Sequence, residues 1–389
     1  MKTLIIFFLI FLTLNFSFQG EIGNHDLILI PLAKKISKSE KIICSQFIDE
    51  FEYVQLETNE KCFINNDPKI LILKNLILVY EIRYCFVFDR KSGKFLYEIS
   101  HFGRAPGEYN SAMEAYDYER SILYFRGWNN NMLMYSLNGD YLGSFLIPEQ
   151  RGGMDASPSM MFHFSSLPNS LLVGYSINLI GSEKKLLNVF NQNGEIVKVF
   201  PNKNILPKQN MTLNLLEDHF YQFNYKTYFK ERYTDTVFKV TENEMVPHIA
   251  FNLSEYTVPY ISKWWSSEKQ NKANYVVISK VFENSGYIIF QAFKQTTDYF
   301  GLFYKKEEKL FVNEFKSGLP NDVDNFIPFS PAFMDNDGNF IEIINPIKIV
   351  NWVKDNPLKL KDLPDKIQKL LTMREEENPI IMIGKTSSK

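Results

Sequence analysis

MLMYSLNGDYLGSF, residues Met132 to Phe145, reads as two aromatic-rich strands folded about Asn138-Gly139, a dipeptide suited to a tight β-hairpin. The same design recurs in FVFDRKSGKFLYEI (86–99), LNVFNQNGEIVKVF (187–200), VFKVTENEMVPHIAF (237–251) and LFYKKEEKLFVNEF (302–315). The first three turns hold Gly93, Gly139 and Gly194, spaced by 46 residues (93 to 139) and 55 residues (139 to 194). Degenerate repeats of this size match the period of propeller blades better than that of a β-helix.

Two further strand-like runs precede each hairpin. In the second unit these are Met113 to Tyr118 and Ile122 to Arg126, followed by a loop at Gly127 to Asn131. The same reading finds inner strand pairs in Lys69 to Tyr80, Met160 to Tyr175, Thr212 to Phe223 and Tyr275 to Phe293. Ala332 to Ile344, with a turn at Asp337-Gly338, and Pro379 to Lys385 supply three strands of a last unit around a helical insertion at Leu363 to Glu377. Phe51 to Glu57 supplies its fourth strand, because joining the first and last strands removes an open sheet edge. The expected fold is all-β: a six-bladed β-propeller of four-stranded antiparallel blades, its last blade closed by an N-terminal strand.

Composition agrees with a large β core. Of 389 residues, 34 are Phe and 21 Tyr, and aromatic side chains favour strands. Lys plus Arg number 43 against 45 Asp plus Glu, a net charge of -2, which provides no electrostatic footprint for nucleic acid. Lys2 followed by the uncharged apolar run Leu4 to Leu14 has the pattern of an export signal. The chain therefore divides into a signal peptide at 1–20, an unassigned segment at 21–49 containing a strand-like Leu27 to Leu32 without an evident partner, and a propeller at 50–389. Beyond the signal segment no stretch is long and apolar enough to span a bilayer. Cys44, Cys62 and Cys85 are too few for a disulfide scaffold and read as buried free thiols.

FVFDRKSGKF (86–95), FGRAPGEY (102–109), DTVFKV (235–240) and NPIIMIGK (378–385) together resemble the six-bladed β-propeller family of exported Bacteroidota proteins, itself similar to NHL-repeat propellers. The resemblance covers about residues 50 to 389, with Ala105 standing where that family usually has a second glycine. It implies the propeller fold and a periplasmic or cell-envelope location, and no reaction.

In a four-stranded blade, the loop to the next blade emerges on the same face as the loop between strands two and three. Arg104, Glu108, Tyr109, Arg126 and Trp128 are therefore expected to cluster near a channel mouth as a site for a polar ligand or peptide. An alternative is that Arg104 and Glu108 pin the loop and Trp128 packs between blades. Asn224 to Asp235 and Asn252 to Asn274, the latter with Trp264-Trp265 in a short amphipathic helix, are expected as long connections on that face, forming a rim for a carbohydrate or protein. Asp322 and Asp324 are a candidate Ca²⁺ pair.

Catalytic patterns are sparse. His25, His101, His163, His219 and His248 show no zinc-binding spacing, no GxSxG elbow occurs, and Ser266/Lys269 and Ser182/Lys185 lack companion motifs. The favoured function is an exported non-catalytic propeller binding a protein, peptide or glycan through its loop face. A metal-dependent propeller hydrolase or lactonase using Asp322 and Asp324 is the alternative.

Overall fold

The computed structural model describes residues 27–386, apart from 66–67, 112, 149–160, 208 and 211–216. The apolar run Leu4 to Leu14 lies outside the described residues. Two strands come first, β1 (Ile28–Ile30) and β2 (Glu50–Gln55). The first blade is β3 (Lys69–Ile72), β4 (Leu76–Glu81), β5 (Tyr84–Asp89) and β6 (Phe95–Glu98), and the second is β7 (Met113–Asp117), β8 (Ile122–Arg126), β9 (Asn131–Ser136) and β10 (Tyr141–Leu146). The third holds β11 (Met161–Leu167), β12 (Leu171–Ser176), β13 (Lys185–Phe190) and β14 (Ile196–Pro201). The fourth holds β15 (Asp218–Phe223), β16 (Lys226–Glu231), β17 (Thr236–Val240) and β18 (Met245–Phe251), and the fifth β19 (Val276–Glu283), β20 (Tyr287–Lys294), β21 (Thr297–Tyr304) and β22 (Lys309–Glu314). The sixth blade contains β23 (Phe333–Met334), β24 (Phe340–Ile344) and β25 (Ile380–Lys385), with β2 as its outermost strand.

The fold is thus a six-bladed β-propeller, closed by β2 against β25 in antiparallel register from Glu50↔Lys385 to Gln55↔Ile380. Six opposed residue pairs along these strands tie the start of the propeller to its end, so the ring cannot open without losing a whole strand pairing. The partner missing for Leu27 to Leu32 is blade four: β1 lies parallel to β18, with Ile28 opposite Ile249, and covers that blade's outer edge.

Each blade interface has its own apolar core. Val87, Leu123 and Phe125 join blades one and two; Tyr124, Phe145, Phe164 and Phe190 join two and three; Val189 and Phe229 join three and four. Strand β12 is buried at every position, whereas outer strand β14 is mostly exposed. This gradient explains the aromatic abundance: second and third strands are sandwiched between neighbouring blades, and each fully buried large apolar side chain contributes about 1.5–3 kcal/mol. The hairpin turns are equally constrained. Gly194 has φ +76°, and a Cβ there would lie 2.4 Å from the Leu146 carbonyl oxygen of the preceding blade.

Three expectations change. Asn224 to Asp235 is not a loop, because Lys226–Glu231 is the second strand of blade four and the turn is Asn224-Tyr225, both with positive φ. Lys230 disguised it: the side chain is buried, and its ammonium donates to the carbonyls of Glu231 and Thr234 at 2.9 and 2.8 Å. Thr212 to Phe223 correspondingly contains one described strand rather than a pair, residues 211–216 lying outside the described set. The helical insertion begins earlier than Leu363. It opens with a helix at Pro346–Asp355, capped by the Asn345 side chain accepting from Ile347 N–H, and continues through a short helix at Asp365–Gln368. All three cysteines are buried and free.

Candidate functional site

Loops between second and third strands and the blade-to-blade connections share one face, here called the connector face. The segment from His101 to Tyr109 is built around a close approach. Glu108 folds back so that one carboxylate oxygen accepts from Ala105 N–H at 2.7 Å, and the same oxygen lies only 2.0 Å from where a Cβ on Gly103 would be. Gly103 N–H also donates to the Tyr109 carbonyl at 3.0 Å. Tyr135 closes the turn from below, its hydroxyl donating to the Gly107 carbonyl.

The expected cluster divides into three parts. Arg104 and Trp128 do meet: the guanidinium lies 4.6 Å from the indole centroid, and Trp128 Nε1 donates to the Gly103 carbonyl at 2.5 Å. Arg83, from the blade-one turn, lies 5.6 Å from the Phe102 ring centroid. Phe102-Gly103-Arg104 thereby joins two guanidinium–aromatic pairs, and Trp128 and Phe102 keep 38% and 41% of their surface exposed.

Arg126 goes elsewhere. It donates to Glu114 Oε1 at 3.0 Å and to the Met161 carbonyl at 2.9 Å, with its guanidinium 5.2 Å from the Phe164 ring centroid, and so pins blade two to blade three. Tyr109 is a core residue rather than a contact residue, fully buried with its ring 4.9 Å from that of Phe125. Asp322 accepts from the Ser45 N–H and hydroxyl at 2.9 and 2.5 Å. Burial works to raise its pKa, but the Ser45 bonds hold it below the ordinary carboxylate value. Asp324 accepts from Tyr53 and Asn321 at 2.9 and 2.7 Å. Among the described residues no group of three or more His, Cys, Asp or Glu is arranged to hold a metal.

Two polar clusters on this face were invisible in the sequence. Near the axis, His163 Nδ1 lies 2.7 Å from Asp218 Oδ1 across blades three and four. His163 sits at a register break in β11 with φ +42°, a costly conformation for a non-glycine residue. Burial alone would lower its pKa, but the bond to Asp218 and its charge raise it.

The second cluster seats the connection from blade four to blade five. A 3-10 turn at Tyr260–Trp264 caps blades three and four, and a short helix at Ser267–Lys272 follows it. Lys263 reaches down to Glu217 Oε2 at 2.5 Å and the Asn178 carbonyl at 2.6 Å, both charged side chains only 1% exposed. Glu231 accepts from Tyr260 at 2.8 Å and Tyr175 at 3.2 Å. Burial pushes Glu217 up to about 7 against the attraction of Lys263, with Glu231 adding to the rise. These residues come from four separate chain segments, so neither spacing nor motif announces them.

Fold and face together define a six-bladed β-propeller whose loop side presents a guanidinium–aromatic platform. A family model described as a domain of unknown function (DUF4934) matches residues 27–385, and the chain belongs to that family. A Bacteroides fragilis structure described as a "putative exported protein" has the same fold, with TM-score 0.67, 18% identity, and coverage of 93% of this chain and 100% of that one. A more distant similarity links the chain to the extracellular domain of a "putative one component system" from B. thetaiotaomicron, with TM-score 0.36, 12% identity, and coverage of 76% of this chain and 32% of that one. No curated protein matches the chain.

Proposed function

We propose that this protein is an exported, non-catalytic propeller of the periplasm or cell envelope that binds a protein, peptide or glycan through its connector face. The observation that supports this reading is the platform Arg83–Phe102–Gly103–Arg104–Trp128, in which two large rings remain exposed while their edges and flanks are fixed by hydrogen bonding and stacking. Preorganised aromatic and arginine side chains are the residue types that dominate binding energy at interfaces. The charged n-region and apolar run at Lys2 and Leu4 to Leu14 support export, and the family resemblance supports an NHL-like placement among propellers. Of the residues first considered for contact, Arg104 and Trp128 remain as binding groups; Glu108 pins the platform loop, and Arg126 pins blade two to blade three. The lactonase alternative draws no support from Asp322 and Asp324, whose oxygens are engaged by Ser45, Tyr53 and Asn321.

The test is retention of envelope components on the immobilised full chain, compared with the Arg104→Ala/Trp128→Ala double variant. Loss of retained material at an unchanged thermal midpoint is the expected result. Identical retention by both proteins would overturn the reading.

A further inference from the structure

Resting on that binding reading, we infer that the partner is an extended protein segment carrying acidic residues beside apolar ones, with its carboxylates taken by Arg83 and Arg104. The first observation is charge. Neither guanidinium is within ion-pair distance of a carboxylate among the described residues; each instead lies over a ring, Arg83 over Phe102 and Arg104 over Trp128. The acidic side chains on these same segments point elsewhere: Glu108 accepts from Ala105 N–H, Glu98 lies 3.2 Å from His101 Nδ1, and Glu81 has its Oε1 buried without a hydrogen-bond partner. Arg83 and Arg104 therefore offer two guanidiniums without a carboxylate partner among the described residues.

Stacking is the second observation. A guanidinium held over an aromatic ring loses less freedom on binding, and its fork of N–H groups can be accepted by a carboxylate through two parallel hydrogen bonds. Phe102-Gly103-Arg104 fixes the separation of the two forks through three consecutive residues, so one continuous ligand can reach both.

The apolar surround favours a polypeptide over a sugar. Ile82, next to Arg83, is 59% exposed, and Phe63 is 53% exposed. Cys62 and Ile64 pack in the same apolar core as Tyr84, which sets Phe63 on the flank of the Ile82-Arg83 turn. Branched aliphatic and phenyl surface beside Arg and Trp matches the composition of protein interfaces.

The experiment is selection of a random dodecapeptide library on the immobilised full chain, in parallel with Arg83→Ala/Arg104→Ala, followed by titration of the best peptide and of an oligogalacturonate. The expected result is enrichment of Asp or Glu together with Leu, Ile or Phe on the wild-type chain only. In the titration, each single Arg→Ala weakens binding about tenfold or more, the loss expected for one charge-assisted contact, and Arg104→Lys does not restore it. Enrichment of neutral or basic peptides, the same pool on the double variant, no enrichment, or tighter Arg-dependent binding of the oligogalacturonate would each overturn the inference. If Trp128-dependent retention of envelope components persists while the selection fails, the binding reading stands and only the acidic-segment assignment falls.

Discussion

Replacing Lys263 by Met should destabilise the propeller in a way that depends on pH, because the residue's worth depends on whether Glu217 is ionised. Lys263→Met keeps the length and apolar stem of the side chain but removes the ammonium that lies 2.5 Å from Glu217 Oε2. Both partners are about as buried as any residue in the molecule, at 1% exposure. At pH 8 wild-type Glu217, pushed up to about 7, is mostly ionised. The variant then leaves a buried carboxylate near Glu231 without its cation, a change that costs about 3–5 kcal/mol. At pH 5 Glu217 holds its proton in both proteins, so what is lost is chiefly the hydrogen bonds to Glu217 and the Asn178 carbonyl, about 1–2 kcal/mol.

The wild-type trend has a definite sign. A carboxylate whose folded pKa is raised above the ordinary 4.5 retains a proton in the native state that the unfolded chain releases, so Glu217's contribution declines as pH climbs from 4.5 through about 7. For that interval the decline is about 3 kcal/mol, and Glu217→Gln should flatten it. Urea titrations of wild type, Lys263→Met and Glu217→Gln at pH 5 and pH 8 measure all of this. A Lys263→Met cost that is equal at both pH values, or larger at pH 5, would refute the coupling.

Other substitutions separate pins from contacts. Glu108→Ala should cost about 1–2 kcal/mol by freeing Ala105 N–H, whereas Arg104→Ala, stacked on an exposed ring, should stay within about 0.5 kcal/mol of wild type; urea midpoints distinguish the two. Arg126→Ala should cost about 2–3 kcal/mol, since it strands Glu114 and releases the Met161 carbonyl at the blade two–three interface, and the thermal midpoint should fall accordingly. On the opposite face, burial would raise Glu283, but its bonds to His248 and Lys305 hold it below 4.5. Its stabilisation is present above that value and lost as pH falls through the folded pKa, so Glu283→Gln should show a shallower acid limb in thermal midpoints recorded from pH 6 to pH 3.

How much was legible varies with the range of the interaction. Gly93, Gly139 and Gly194 could be read because a hairpin is a local solution: the residues that dictate the turn adjoin the strands it joins. The closing strand at Glu50–Gln55 could be read because an unsatisfied sheet edge demands a partner, and only the chain ends were left to supply one. Lys226–Glu231 was missed because a lysine at a buried position looks like a loop residue until Nζ is seen among the Glu231 and Thr234 carbonyls. Pro346 was missed as a helix start because Asn-Pro reads equally as a turn, and the capping bond from Ile347 N–H to Asn345 exists only once the backbone has turned.

The connector face shows the same division. Trp128 could be assigned to the side of Arg104 from strand direction alone, and their stacking follows. Arg126 and Tyr109, equally near in sequence, are drawn respectively to Glu114 and into the core beside Phe125. The amino-acid sequence by itself determined most of the strands and hairpins, the six-blade count and the closure, because strand alternation, turn chemistry and edge satisfaction act over a few residues or at the chain ends. Only the tertiary structure decided that Lys263 meets Glu217, that His163 meets Asp218, and that β1 finds β18. Those contacts join residues from 46 to 221 positions apart, and they arise when ring closure sets the radius and brings unrelated blades face to face.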